Sequence, residues 1–206
     1  MTAIVDYGVG NLFSLKSSLY FIGVDAVVTG DPDEIVAAER IILPGVGAFQ
    51  DAAEKLAQNG LDKLISKLAL EGKPLLGICL GMQLLFNCSF EHGEFVGLGL
   101  ISGQVENIQK NVPFGYKIPH IGWNSLRFTE DGKQSPLLKY IDEGDHVYFV
   151  HSYAGYNCAD SCLADTDYGA PLTAIVGCGK IFGTQFHPEK SGNVGMNILR
   201  AFCGMV

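Results

Sequence analysis

The segment Lys73-Pro74-Leu75-Leu76-Gly77-Ile78-Cys79-Leu80-Gly81-Met82-Gln83-Leu84-Leu85-Phe86 constrains this chain more than any other. After Lys73 an uncharged apolar run passes into a helical pattern through Gly-x-Cys-x-Gly, so a buried strand has to turn directly into a helix at Cys79. Glycines two residues before and after the cysteine let strand and helix approach without a Cβ between them, at a strained turn that lifts the thiol clear of the sheet. Cys79 then stands at a helix N-terminus, where unpaired N–H groups and the positive end of the helix dipole favour an anion. The N–H of Leu80 points toward an oxygen on whatever the sulfur attacks. An isolated cysteine among apolar residues is more often a small buried hydrophobe. The flanking glycines set Cys79 apart, but the elbow alone names no reaction.

Around this elbow the chain alternates between two periods. Thr2 to Asp6, Asp25 to Val28, Arg40 to Leu43 and Pro74 to Cys79 read as strands. Leu12 to Ile22, Ala48 to Gln58, Leu61 to Leu70 and Gly81 to Asn87 read as helices. That rhythm predicts an α/β fold with a mainly parallel central sheet flanked by helices. From Phe95 to Phe128 the segments become Gly-punctuated and β-branched, and strands are expected at His146 to Val150, Leu172 to Val176 and Lys180 to Phe186 before a last helix near Val194 to Phe202. The second half is thus expected to be β-rich. With no repeat, low-complexity tract or linker, residues 1–206 read as one domain, with ligands at the strand ends.

Composition excludes several classes of function. At 48% hydrophobic and 17% charged residues the chain lies outside the range of disorder and can bury a core. Fourteen basic against 22 acidic residues give a net charge of −8, with no basic stripe to follow a phosphate backbone, so nucleic acid is not expected as a partner. No basic leader follows Met1 and no apolar run approaches the roughly 18 residues that span a bilayer, so no membrane association and a cytoplasmic location are expected. The six cysteines are expected to be thiols. Cys158 and Cys162 are spaced C-x3-C, but no second pair completes a zinc set, so no metal is expected.

A base for the thiol stands near the other end. Lys180 to Phe186 leads into His187-Pro188-Glu189, where proline holds His187 extended and residues two apart project to one side. Glu189 can therefore bond one imidazole nitrogen, fix the tautomer and leave the other to exchange a proton with a thiol. His120 and His151 also follow extended or Pro-containing segments, but neither has an acid two residues on; His92 and His146 lie beside acidic residues and read as solvated.

Taken together, the sequence Gly77-Ile78-Cys79-Leu80-Gly81-Met82-Gln83, the sequence His187-Pro188-Glu189-Lys190-Ser191 and the loop Pro44-Gly45-Val46-Gly47-Ala48-Phe49 resemble the class I glutamine amidotransferases, whose fold is flavodoxin-like. Asp6-Tyr7-Gly8-Val9-Gly10-Asn11, Pro119-His120-Ile121-Gly122-Trp123-Asn124 and Lys190 narrow the resemblance to the glutaminase subunits of imidazole glycerol phosphate synthases. The resemblance implies Cys79 as nucleophile, His187 as general base and acid, and Glu189 as its orienting carboxylate. It implies an oxyanion hole from the N–H groups of Leu80 and Val46, the latter in the loop Pro44, Gly45, Val46, Gly47. It also implies that Gln83, Glu91, Ser152 and Tyr153 hold the α-amino and carboxylate end of glutamine. Gly8-x-Gly10 lacks the third glycine of a dinucleotide loop, which falls at Phe13, and no cofactor is expected.

The resemblance implies glutamine hydrolysis through a γ-glutamyl thioester on Cys79, releasing ammonia, which loses its nucleophilicity once protonated. The chain length leaves no room for an acceptor enzyme, so the expected partner is a separate polypeptide. The resemblance implies a (β/α)8-barrel cyclase subunit in a heterodimer serving histidine biosynthesis. Asn11, Trp123, Tyr148 and Lys190 are the candidate residues for its interface or for coupling to the site. Paired glycines let the oxyanion loop rest with its N–H turned away, so the free chain is expected to be nearly inactive. Alternatives are the glutaminase subunit of another synthase, making anthranilate, aminodeoxychorismate or pyridoxal phosphate, and a silent binding subunit.

Overall fold

The computed structural model describes residues 1–205. Four strands, β1 (Thr2–Val5), β2 (Ala26–Thr29), β3 (Arg40–Gly45) and β4 (Leu75–Cys79), alternate with helices α1 (Leu12–Phe21), α2 (Pro32–Ala37), α3 (Phe49–Gln58) and α4 (Leu61–Leu70). After the elbow come α5 (Leu80–Leu84), β5 (Phe86–Ser89), β6 (Phe95–Val96), β7 (Ile101–Asn107), β8 (His120–Ser125) and β9 (Arg127–Phe128). The last part contains α6 (Glu130–Gln134), β10 (His146–His151), β11 (Tyr153–Tyr156), β12 (Cys162–Asp167), β13 (Pro171–Cys178), β14 (Ile181–Thr184) and α7 (Gly192–Cys203).

The main sheet has the order β2-β1-β3-β4-β14-β13-β12-β9. Its first five strands are parallel, and β13, β12 and β9 continue it antiparallel. Side chains alternate across it as the pleat requires. Ala3, Val5, Ile41, Leu43 and Leu75 face one core with Leu56 of α3 and Ile65 of α4. Ile4, Ile42, Leu76 and Ile78 face a second core with Leu15 and Leu19 of α1 and Ile198 and Phe202 of α7. Strands buried on both faces explain why β3 and β4 read as continuous apolar runs rather than alternating ones.

The parallel α/β core and the β-rich second half match expectation, while the elements differ in detail, α6 and β12 among them. The helix expected over Gly81–Asn87 stops at Leu84, because Phe86–Ser89 is drawn off as β5, which pairs with β6 and β7. The sequence periodicity predicts no helix at α2, yet Asp31 caps it by accepting from the N–H of Asp33 and Pro32 opens it. The Gly-punctuated middle builds two further sheets, β8 with β10 and the four-stranded β11-β7-β5-β6.

Strand order reverses at β1, which pairs with β2 on one side and β3 on the other. A crevice opens at such a switch point, at the carboxyl ends of the strands. Tyr7–Asn11 follows β1, Pro44–Gly47 closes β3, Cys79 ends β4, and Gln185–Glu189 follows β14.

Candidate active site

Cys79 occupies φ 55°, ψ −110°, a positive-φ conformation rare for a non-glycine residue, and serves as the N-cap of α5. The flanking glycines are needed for close approach. A Cβ on Gly77 would stand 2.6 Å from the carbonyl oxygen of Gly81, and one on Gly81 would stand 1.8 Å from that of Leu43. The turn therefore locks β4, α5 and the end of β3 together and leaves the thiol 7% exposed on a cavity of about 590 Å³.

His187 and Glu189 approach from β14. His187 Nδ1 lies 2.8 Å from Glu189 Oε1, and both side chains are 3% exposed. The other carboxylate oxygen, Oε2, is buried without a hydrogen-bond partner among the described residues. Burial works against a charged His187, but hydrogen bonds with Cys79 and then with Glu189 more than reverse it, and its pKa is raised from 6.5 to about 9. His187 therefore carries its proton at neutral pH, beside the sulfur. The turn is held by Ser191, whose hydroxyl donates to the His187 carbonyl at 2.7 Å and accepts from the N–H of Tyr148 at 3.0 Å.

Val46, Gly47 and Leu80 line the same cavity as Cys79. Beneath their loop, the buried Tyr7 hydroxyl donates to the Pro44 carbonyl at 2.8 Å, and burial first, then the nearby Cys79, raises the phenol's pKa. The loop is thus pinned at Pro44 and packed at Gly45, where a Cβ would stand 2.9 Å from the Tyr7 hydroxyl. Gly47, at φ +100°, has open space around it.

The four residues expected to hold substrate meet on this cavity. Gln83, Glu91, Ser152 and Tyr153 all line it. Glu91 Oε2 accepts from the N–H of Phe49 at 2.7 Å, supplying the cap that Ala48 cannot give α3. Gln83 donates to the Tyr153 carbonyl at 3.0 Å and to Gln185 Oε1 at 3.1 Å. With both amide hydrogens engaged, its carbonyl oxygen is the group left to face a ligand.

The competing histidines take other roles. His151 reaches the cavity, but burial above all holds its pKa down to about 3. Its Nδ1 bonds the Tyr153 carbonyl at 2.9 Å, and its Nε2 meets Nδ1 of the buried His120 at 3.0 Å. The exposed His92 lies on the rim, its ring edge-on to Tyr153.

Among the interface candidates, Trp123 and Tyr148 are paired across β8 and β10 with rings 6.0 Å apart, and Trp123 is 54% exposed. Lys190 lines the main cavity, whereas Asn11 caps α1 through the N–H of Ser14 and borders a small cavity with Val46 and Glu189. Sequence reasoning gave no role to Tyr7, Ser191 or Gln185. Gln185 and Ser191 stand two residues before and four after His187, a proximity that could have drawn attention to both.

The six cysteines are free thiols. Among the described residues, no group of three or more His, Cys, Asp or Glu side chains is placed to hold a metal ion. No helix among them is long and apolar enough to cross a membrane.

Comparison with known proteins bears on the family and the fold. The family described as "Glutamine amidotransferase class-I" matches residues 3–205. The chain belongs to the class-I glutamine amidotransferases. Within that family, this amidotransferase is 50% identical to "Imidazole glycerol phosphate synthase subunit HisH" of Bacillus licheniformis, over 98% of this chain and 95% of the relative. It is 49% identical to the protein of the same name in Geobacillus kaustophilus, over 100% and 97%. Among solved structures, "Structure of PurLQS from Thermotoga maritima" superimposes with a TM-score of 0.76 at 21% identity, covering 98% of this chain and 96% of that one. "Crystal structure of glutamine amidotransferase" gives 0.75 at 20% identity, covering 98% and 99%. At such identities these structures bear on the fold alone.

Proposed function

We propose that this amidotransferase is the glutaminase subunit of an imidazole glycerol phosphate synthase, with Cys79, His187 and Glu189 as its catalytic set. One observation carries the chemical part: a strained cysteine at a strand-to-helix elbow shares a cavity with a histidine whose Nδ1 is held by a buried carboxylate. The subunit names of relatives 47–50% identical over nearly the whole chain support the synthase part.

The Cys79 thiolate attacks the side-chain amide carbon of glutamine; a C–S bond forms and the carbonyl electron pair moves onto oxygen. The N–H groups of Leu80 and Val46 stabilise that oxyanion. His187 gives its proton to the amide nitrogen, the C–N bond breaks and ammonia leaves, with a γ-glutamyl thioester remaining on Cys79. His187, now neutral, takes a proton from water, which attacks the thioester and releases glutamate and the thiolate. Gln83 accepts from the substrate α-ammonium through its free carbonyl oxygen, beside Glu91 and the Ser152–Tyr153 backbone.

Ammonia leaves toward a separate cyclase subunit, a (β/α)8 barrel joined as a heterodimer in the cytoplasm. Trp123, Tyr148, Lys190 and Asn11 belong to its interface or to the coupling between interface and site. Tyr148 and the His187 turn are already tied together through Ser191. Residues 1–206 act as one domain.

The test is reconstitution. The purified chain, mixed with the cyclase subunit and its phosphorylated ribulosyl substrate, is expected to support glutamine-dependent formation of imidazole glycerol phosphate. Equal or better ammonia transfer to an anthranilate, aminodeoxychorismate or pyridoxal phosphate synthase partner would reassign it.

A further inference from the structure

Gln185 has no part in the mechanism above, yet its side chain is fully buried against the nucleophile. Parallel pairing of β4 with β14 sets Ile78 against Thr184, so the next step of the chain brings Gln185 level with Cys79. The N–H of Gln185 continues the sheet by donating to the Ala174 carbonyl at 2.8 Å, which fixes the backbone from which the amide projects.

The orientation of that amide follows from its neighbours. A backbone carbonyl can only accept, so Gln83 has to turn its NH2 toward the Tyr153 oxygen. The same NH2 lies 3.1 Å from the Gln185 side chain, which must answer with its carbonyl oxygen. The Gln185 NH2 is thereby left facing Cys79 Sγ, at 3.7 Å. Rotating the Gln83 amide would set its oxygen against the Tyr153 carbonyl, and rotating the Gln185 amide would set NH2 against NH2.

We propose that Gln185 is a positioning residue for glutamine hydrolysis: it donates an N–H to the Cys79 sulfur, aiming it at the substrate and supporting the negative charge it carries before attack and regains when glutamate leaves. This rests on Cys79 being the nucleophile. Gln83 and Gln185 then form one relay from the binding end of the substrate to the reacting sulfur. Because the relay is buried, water does not substitute for the lost donor.

Alkylation of the full chain by iodoacetamide tests this without glutamine, with modification at each cysteine read by peptide mass spectrometry. Gln185→Met keeps the approximate size and removes the donor; Gln185→Glu keeps the shape and the contact with Gln83 but replaces the donor by an oxygen. Cys79 is expected to react about 10-fold more slowly in Gln185→Met, and more slowly still in Gln185→Glu, as loss of a hydrogen bond to a charged acceptor requires. Exposed Cys178 should react at an unchanged rate and buried Cys158 should stay protected, which reports an intact fold. In the reconstituted complex, kcat is expected to fall more than KM rises. A wild-type Cys79 alkylation rate in either folded variant overturns the proposal. Failure of the underlying reading is seen separately, as a wild-type complex that releases no ammonia from glutamine.

Discussion

His187 Nδ1 stands 2.8 Å from Glu189 Oε1, two residues on in the chain, with both side chains closed off from solvent. The carboxylate can only accept, so it holds the hydrogen on Nδ1 and leaves Nε2 to deal with the sulfur and the leaving group. In Glu189→Gln the amide can turn its NH2 toward the ring and favour the opposite tautomer. Steady-state glutaminase kinetics on the complex are expected to show kcat down roughly 10²–10⁴-fold with KM little changed. A loss below 3-fold would mean that Glu189 does not orient the base.

The same contact makes stability depend on pH. Hydrogen bonds with Cys79 and Glu189 outweigh burial and raise His187 in the folded chain to about 9, above its unfolded value near 6.5. A raised pKa contributes its stabilisation in full below about 6.5 and loses it as pH climbs through about 9. Urea midpoints measured from pH 6 to pH 10 should fall across that window in the wild type, and His187→Gln should remove most of the slope. Parallel curves for the two proteins would count against the raised value.

Tyr7 anchors the oxyanion loop through one bond, from its hydroxyl to the Pro44 carbonyl. Tyr7→Phe leaves that carbonyl without its partner in a buried setting and is expected to cost about 1–3 kcal/mol in chemical denaturation. With the loop less firmly pinned, kcat in the complex should drop as well. Unchanged stability and turnover would show that the loop is held elsewhere.

Gly81→Ala places a methyl group 1.8 Å from the Leu43 oxygen, in contact with rigid backbone. The expected cost exceeds about 4 kcal/mol, in the range reserved for gross steric conflict, and little folded protein should be recovered. Gly179→Ala is the comparison: its φ of +59° is unfavourable, but nothing lies within 4 Å. A loss of only about 1–2 kcal/mol is expected there.

Local features of the site were legible in the sequence because they depend on residues close along the chain. The elbow needs Gly77, Cys79 and Gly81, and the acid–base pair needs His187 and Glu189 with a proline between them. The alternation of strands and helices through Cys79 was legible for the same reason. Gln185 was not, since its place beside Cys79 comes from the register of β14 against β4, which no single segment encodes. Tyr7 lay inside a noted motif, but its grip on Pro44 joins the ends of β1 and β3, 37 residues apart. The expected helix runs past Leu84 because an apolar run such as Leu84-Leu85-Phe86 suits either period, and pairing with β6 and β7 decides between them.

Labelling with a glutamine-analogue electrophile tests the central assignment most directly. Incubated with the full complex and mapped by peptide mass spectrometry, such a reagent should modify Cys79 alone among the six cysteines, glutamine should protect it, and Cys79→Ala should take up no label. Label spread across the thiols, or undiminished in Cys79→Ala, would contradict the account.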